Sequence, residues 1–137
     1  MVIHIKLDGN PSKTTQQQKG ETIINGHIHH YEKAKVRDAK NVLRWQLKPY
    51  VPNKPLEGPI FLKIEWRFEL KRCKRRFWKT TRPDLDNLEK GLLDVLTDMR
   101  FWNDDAQVVM KQTCKKEVPP GEGFLEISIT EIGGDTN

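Results

Sequence analysis

The stretch Arg82-Pro83-Asp84-Leu85-Asp86-Asn87-Leu88-Glu89-Lys90 sets two carboxylates two positions apart at the start of a helical pattern, with a lysine four residues beyond the second. In an extended lead-in, residues two apart project to the same side, and a residue four further along a helix lies one turn away on the same face. Asp84, Asp86 and Lys90 can therefore aim at one place. Beyond the helical pattern, Phe101-Trp102-Asn103-Asp104-Asp105-Ala106-Gln107 brings further carboxylates to the start of a strand. Carboxylates that converge without His or Cys form a hard oxygen site suited to Mg²⁺ or Mn²⁺. Such an ion polarises a phosphodiester and lowers the pKa of an attacking water, and a lysine beside it neutralises charge developing on the phosphate. A helix of about 12 residues is roughly 18 Å long. Asp105 can approach Asp84 only if the chain returns along that helix or over a sheet. The plainer reading is that Asp84 and Asp86 cap the helix and that Asp104-Asp105 form a polar turn.

The charge distribution points the same way. The 137 residues carry 24 Lys/Arg and 19 Asp/Glu, a net charge of +5, but the surplus is unevenly placed. Lys71, Arg72, Lys74, Arg75, Arg76, Lys79 and Arg82 form a block of seven basic residues without an acid, followed directly by seven acids and two bases over residues 84–105. Basic residues attract phosphates and release their counterions, whereas clustered carboxylates repel phosphates unless a metal ion sits between them. The juxtaposition suits a metal-dependent enzyme acting on nucleic acid; two solvated patches are the simpler alternative. No apolar run is long enough to span a membrane, and Met1–Asn10 lacks the apolar stretch of a secretion signal. Cys73 and Cys114 belong to no C-x-x-C pair, which argues against structural zinc and fits a reducing cytoplasm.

The elements that must position these groups emerge from periodicity. Val2–Leu7 alternates as a strand and Asp8-Gly9-Asn10-Pro11 ends it; Ser12–Glu21 reads as a surface loop. Thr22–Ile24 and His27–His29 flank Asn25-Gly26 and predict a small hairpin. Ala34, Val36, Ala39, Val42, Leu43 and Leu47 recur at helical spacing over 31–47, and Pro49 and Pro52 stop that helix. After Pro59, Ile60, Leu62, Ile64, Trp66, Phe68 and Leu70 share one face of a half-buried strand. The basic block is a loop. A second helix covers Asp86–Thr97, and Gln107–Lys116 and Phe124–Ile129 are two more strands; Ile132–Asn137 reads as a frayed tail. The order predicts one α+β domain over residues 1–137, a mixed β-sheet with helices packed on one face.

The run Arg82–Val108 resembles the signature region of the RusA-type Holliday-junction resolvases. That pattern is Pro-Asp-x-Asp-Asn-x-x-Lys, a helix, then an aromatic-x-Asp-Asp-x-Gln-Val turn, and all of its elements occur here in order. A weaker resemblance covers Tyr31–Phe68. The resemblance implies an α+β homodimer that cuts four-way (branched) DNA junctions by symmetric paired nicks using Mg²⁺. It implies that Asp84, Asp86 and Asp105 are the essential carboxylates and Lys90 the catalytic lysine, with Asp104 the adjacent acid of the turn. The chain departs from many members at Thr14-Thr15-Gln16-Gln17-Gln18, where they carry Lys/Arg. Two other readings stay open from the residues alone, a non-catalytic junction-binding module and a Mg²⁺-dependent phosphatase with Asp84 as nucleophile. No Gly-rich or Thr-bearing loop comes after the aspartates, which disfavours the phosphatase.

Further groups are compatible with function. His27, His29 and His30 fit decoration of a hairpin better than metal ligation. Phe77-Trp78 can stack on a base, anchor the loop to the core or pack across a dimer contact. Phe101-Trp102 are expected to pack under the acidic turn.

Overall fold

Alternation of Ile60, Leu62, Ile64, Trp66 and Phe68 with polar neighbours produces strand β4 (Ile60–Glu69), and all five side chains are buried. A computed structural model describes residues 1–15, 20–24, 27–31, 34–72 and 77–133. In it β4 lies between β6 (Phe124–Glu131) and β5 (Val108–Val118), while β1 (Val2–Asp8) pairs with the far edge of β6. The sheet order is β1-β6-β4-β5; β1–β6 and β6–β4 are antiparallel and β4–β5 is parallel. Parallel neighbours need a crossover rather than a hairpin, and helix α2 (Leu85–Asp98) provides it. Helix α1 (Ala34–Leu47) precedes β4. The sheet is mixed and the fold is α+β, as the periodicity predicts.

One sheet face makes the core. Ile5, Leu7, Leu125, Ile127 and Ile129 extend the buried row of β4, and Leu88, Leu92, Val95 and Leu96 of α2 with Leu47 of α1 cover it. Asn87, Leu88, Gly91 and Leu92 of α2 and Val36, Ala39 and Leu43 of α1 line a common cavity of about 450 Å³, together with Leu7, Trp66 and Leu125 from the sheet. Both helices therefore lie on the same side of the sheet. The opposite face is polar. There Glu65 is held between Arg67 and Lys116, with the Lys116 ammonium at 3.2 Å. Partial burial raises the Glu65 carboxyl, but these two cations outweigh it and hold the group below its usual range.

Several boundaries differ from those predicted. Tyr31 belongs to a strand, not to the first helix, because β3 (His27–Tyr31) pairs with β2 (Gly20–Ile24) in a register that sets Tyr31 opposite Gly20. Ile24 pairs with His27, leaving two residues for the connection; Asn25-Gly26 themselves lie outside the described residues. Lys48–Tyr50 form a 3-10 turn. Asp105–Gln107 form another, so β5 starts at Val108. Ile132, expected in a frayed tail, donates its N–H to the Pro59 carbonyl at 2.8 Å; residues 134–137 lie outside the described set. Among the described residues, no helix is long and apolar enough to cross a membrane.

The end of α2 sets the course of the chain into the acidic turn. Arg100 N–H bonds the Thr97 carbonyl at 3.0 Å and Phe101 N–H bonds the Leu96 carbonyl at 3.1 Å, the paired bonds of a Schellman motif. Arg100 sits at φ 68°, a left-handed conformation that favours glycine. The motif turns the chain sharply and drops Phe101 and Trp102 into the core, both fully buried. Arg100→Gly should relieve this conformation and raise the unfolding free energy by up to about 1 kcal/mol. Urea denaturation of the two proteins measures it, and an unchanged or lower midpoint would count against the strain.

Candidate active site

Asp84 is the N-cap residue of α2, with extended backbone (φ −72°, ψ 149°), yet its side chain makes no capping hydrogen bond. Asp86 lies in the first turn. Both carboxylates are exposed, and so is Lys90. None of the three enters an ion pair or side-chain hydrogen bond among the described residues. This answers the capping alternative: the aspartates are not used to satisfy the helix end. Nor is Lys90 paired with Asp86 or Asp94, its neighbours one turn away on the helix.

The approach to Asp84 is held from β5. Lys115 Nζ donates to the carbonyls of Thr81 and Pro83, each at 2.7 Å, and the Arg82–Pro83 peptide is cis. One turn into α2, buried Glu89 accepts from Thr113 Oγ1 at 2.6 Å and from Lys111 Nζ at 3.2 Å. These contacts fix α2 along β5. Sequence reasoning missed both lysines and Glu89. The available signal was a glutamate beside Leu88 and Leu92 on the core flank of the helix, which needs a buried partner.

The acidic turn is built by Gln107. Its Oε1 accepts the N–H groups of Asn103 (2.8 Å) and Asp104 (3.0 Å), and its Nε2 donates to the carbonyls of Leu56 (2.8 Å) and Gly58 (3.0 Å). Every hydrogen-bonding position of the amide is filled. Asp104 accepts the Ala106 N–H at 3.0 Å, so this acid caps the turn. The Asp-x-x-Gln spacing of a capping box was the signal for it. Trp102 packs beneath, as expected, its Nε1 donating to Thr97 Oγ1 at 2.8 Å. The Asp105 carboxyl is held above its usual range by its hydrogen bond to Asp104, then by slight desolvation and the charges of Asp104 and Asp94.

The two halves stand apart. Lys115 lies beside Pro83, Thr113 beside Glu89, and Asp105 within electrostatic reach of Asp94. The chain does return along the helix, but Asp105 meets its far end. Ten residues of helix separate positions 84 and 94 by about 15 Å. Among the described residues, no three His, Cys, Asp or Glu side chains are grouped closely enough to hold a metal ion.

The basic block is divided as well. Lys71, Arg72 and Arg82 are exposed, while Cys73, Lys74, Arg75 and Arg76 lie outside the described residues. Lys79 departs from the expectation of a phosphate contact. Its side chain is 4% exposed, lies 4.0 Å from Glu117 and bonds Thr81 Oγ1 at 2.9 Å. Residues 77–79 run along the C-terminal half of β5, with Trp78 bridged to Lys116, and this draws Lys79 inward. Phe77 and Trp78 stay exposed, edge to face at 4.9 Å, with the Lys116 ammonium over both rings. The core reading of this pair is thereby excluded. The side chains of His27, His29 and His30 lie outside the described set. Cys114 is half-buried, and burial together with the Glu65 charge pushes its thiol up, away from reactive thiolate.

Comparison with known proteins places this geometry. A sequence profile of the family Endodeoxyribonuclease RusA matches residues 8–130, which include both halves of the site. The chain belongs to the RusA family. A crossover junction endodeoxyribonuclease of Lactococcus phage r1t is 38% identical over 131 residues, covering 93% of this chain and 95% of that protein. One from Enterobacteria phage 82 is 35% identical over 134 residues, covering 96% and 97%. One from Escherichia coli K12 is 40% identical over 85 residues, covering 62% and 66%.

In this RusA-family chain the Gln107 clasp should be measurable apart from any activity. Gln107→Glu keeps the acceptor but leaves the Leu56 and Gly58 carbonyls without donors, which should cost about 2 kcal/mol of stability. Urea unfolding tests this, and a loss under about 0.5 kcal/mol, the range of an ordinary surface change, would mean that the clasp is dispensable.

Proposed function

We propose that this RusA-family chain is a Mg²⁺-dependent crossover-junction endodeoxyribonuclease, a cytoplasmic homodimer that resolves four-way DNA by paired nicks in recombination and repair. The observation that carries the reading is the pair of exposed carboxylates at Asp84 and Asp86, uncommitted to the fold, with the equally free Lys90 one turn beyond. The names of the similar phage and bacterial proteins agree with it. A purely structural acidic site, as a non-catalytic module would have, gives no reason to leave an N-cap aspartate unbonded.

Asp84 and Asp86 fit the metal by donor type, since Mg²⁺ takes one or two carboxylates and completes its shell with water and substrate oxygens. When bound, the ion supplies charge stabilisation at the phosphate and a more acidic water. Asp105 is too far along α2 to join them from the same chain. In the proposed dimer, Asp105 of one copy, with Asp104 beside it, completes the site of the other. A two-fold axis then gives two equivalent sites, matched to two opposed strands of a junction. Lys90 neutralises the phosphate, and Lys71, Arg72, Lys74, Arg75, Arg76 and Arg82 supply backbone affinity. Lys79 is left out because it is buried.

Incubation with an immobile four-way junction and a matching linear duplex, with and without Mg²⁺, tests the activity. Paired nicks in the junction alone, only with the ion, are expected; binding without nicks would sink the enzyme reading. Sharing of the site is tested by co-expressing Asp84→Asn and Asp105→Asn chains. A mixed dimer keeps one intact site if sites are shared and none if they are not. Equal expression should restore nicking to roughly a quarter of wild type. No recovery, with mixed dimers present by mass spectrometry, would refute sharing. For Lys90→Ala, single-turnover cleavage at saturating enzyme and Mg²⁺ should fall at least tenfold, about 1.4 kcal/mol in barrier. A rate within about twofold of wild type would leave Lys90 without a catalytic role.

A further inference from the structure

Helix α1 is strongly basic in its own right. It carries Lys35, Arg37, Lys40 and Arg44 against Asp38 alone, and Lys48 comes at its end. Arg37, Lys40, Arg44 and Lys48 recur at spacings of three and four, so they share one stripe. Arg44 fixes the direction of that stripe. Its guanidinium meets Asp98 of α2 at 3.3 Å and Asn41 at 3.1 Å, so the stripe runs along the side of α1 next to α2. On α2, Asn87, Gly91 and Asp98 turn toward α1. Asp86, Lys90 and Asp94, four residues apart, form the outward row beside them. The basic stripe and the row bearing Asp86 and Lys90 thus lie side by side on the outer surface of the helix layer.

A second observation lies on the same helix. Trp45 is 76% exposed, with Val42 exposed nearby and the Lys48 ammonium 5.7 Å from the indole centroid. Water solvates an indole poorly, and a large aromatic left out among cations is a surface suited to sugars and bases. The open face of the sheet also carries exposed aromatics, Phe77 and Trp78, but the ammonium over them is the Lys116 group paired with Glu65. On that face Arg67 and Lys116 share the single Glu65 carboxylate, and His4 is bonded to Glu126.

We propose that the Arg37–Lys48 stripe of α1, flanked by Trp45, is a second DNA-contact surface that holds the phosphate backbone of a junction arm beside the Asp86–Lys90 row. From Arg37 to Lys48 is about 16 Å, the axial span of roughly five phosphates of one strand. The inference rests on the nuclease reading and deepens it: an arm lies over the two helices, not over the bare sheet.

The test is junction binding by fluorescence anisotropy without Mg²⁺, across a salt series from about 50 to 300 mM. Arg37→Ala combined with Lys48→Ala should lower the log–log salt slope by about 1.8 and weaken low-salt binding about tenfold. Trp45→Ala should weaken binding severalfold with its slope unchanged, because stacking releases no counterions. Lys63→Ala, an exposed cation on the open sheet face, should match wild type. Circular dichroism and light scattering accompany each variant. A folded, dimeric double variant with the wild-type slope overturns the inference and leaves the nuclease reading standing. A double variant that becomes monomeric also overturns it, since the stripe would then be a contact between copies. Wild-type protein that neither binds nor nicks four-way DNA defeats the nuclease reading, and this inference with it.

Discussion

Parallel pairing of β4 with β5 governs the layout of the molecule. The ladder runs from Ile60 opposite Val108 to Glu69 opposite Val118. Two strands running the same way cannot be joined by a tight turn, so the chain must travel back their full length before β5 begins. α2 makes that return journey, and its direction opposes both strands. The lead-in to the helix, with Asp84 and Asp86, therefore lies at the carboxyl ends of β4 and β5. The turn that feeds β5, with Asp104 and Asp105, lies at their amino ends. The separation of the acidic groups is a direct consequence of the crossover. In the proposed dimer, a site that uses all of them draws on two copies of the chain.

Apolar and polar contacts divide the work of holding those ends. The buried rows of β4, β6 and α2 fix the helix layer on the sheet, but hydrophobic contact is non-directional and does not set a carboxylate's position to within an ångström. Three polar ties supply direction. Lys115 holds the Thr81 and Pro83 carbonyls ahead of Asp84, Glu89 locks the first turns of α2 to Thr113 and Lys111, and Gln107 binds the acidic turn to the segment before β4. Each tie crosses between elements far apart in sequence. Each also gives backbone or side-chain polar groups of the other element a hydrogen-bond partner.

Charge is partitioned by the same architecture. The sheet's open face places Arg67 and Lys116 against Glu65, so much of its positive charge is already spoken for. Lys79 is withdrawn to Glu117 because residues 77–79 run along β5. The exposed cations of α1 and those at Lys71, Arg72 and Arg82 remain on the outside.

The sequence by itself determined the local elements and the family. Alternation over Ile60–Phe68 and helical spacing over Leu88–Leu96 are forced by burial of one face, whatever the neighbours are. The composite run from Arg82 to Val108 named the family, and the oxygen-only donor set is the basis for the ion proposed. Only the tertiary structure decided which of these residues meet. Whether Lys79 faces solvent depends on an added pairing with β5, and whether Asp84 is a cap depends on a hydrogen bond it does not make. Gln107 and Lys115 act through carbonyls of Leu56, Gly58, Thr81 and Pro83, groups that every residue possesses and no spacing reveals. Whether Asp105 reaches Asp84 is set by the direction of β5. Periodicity fixes a strand's faces but carries no information about whether it runs with or against its neighbour.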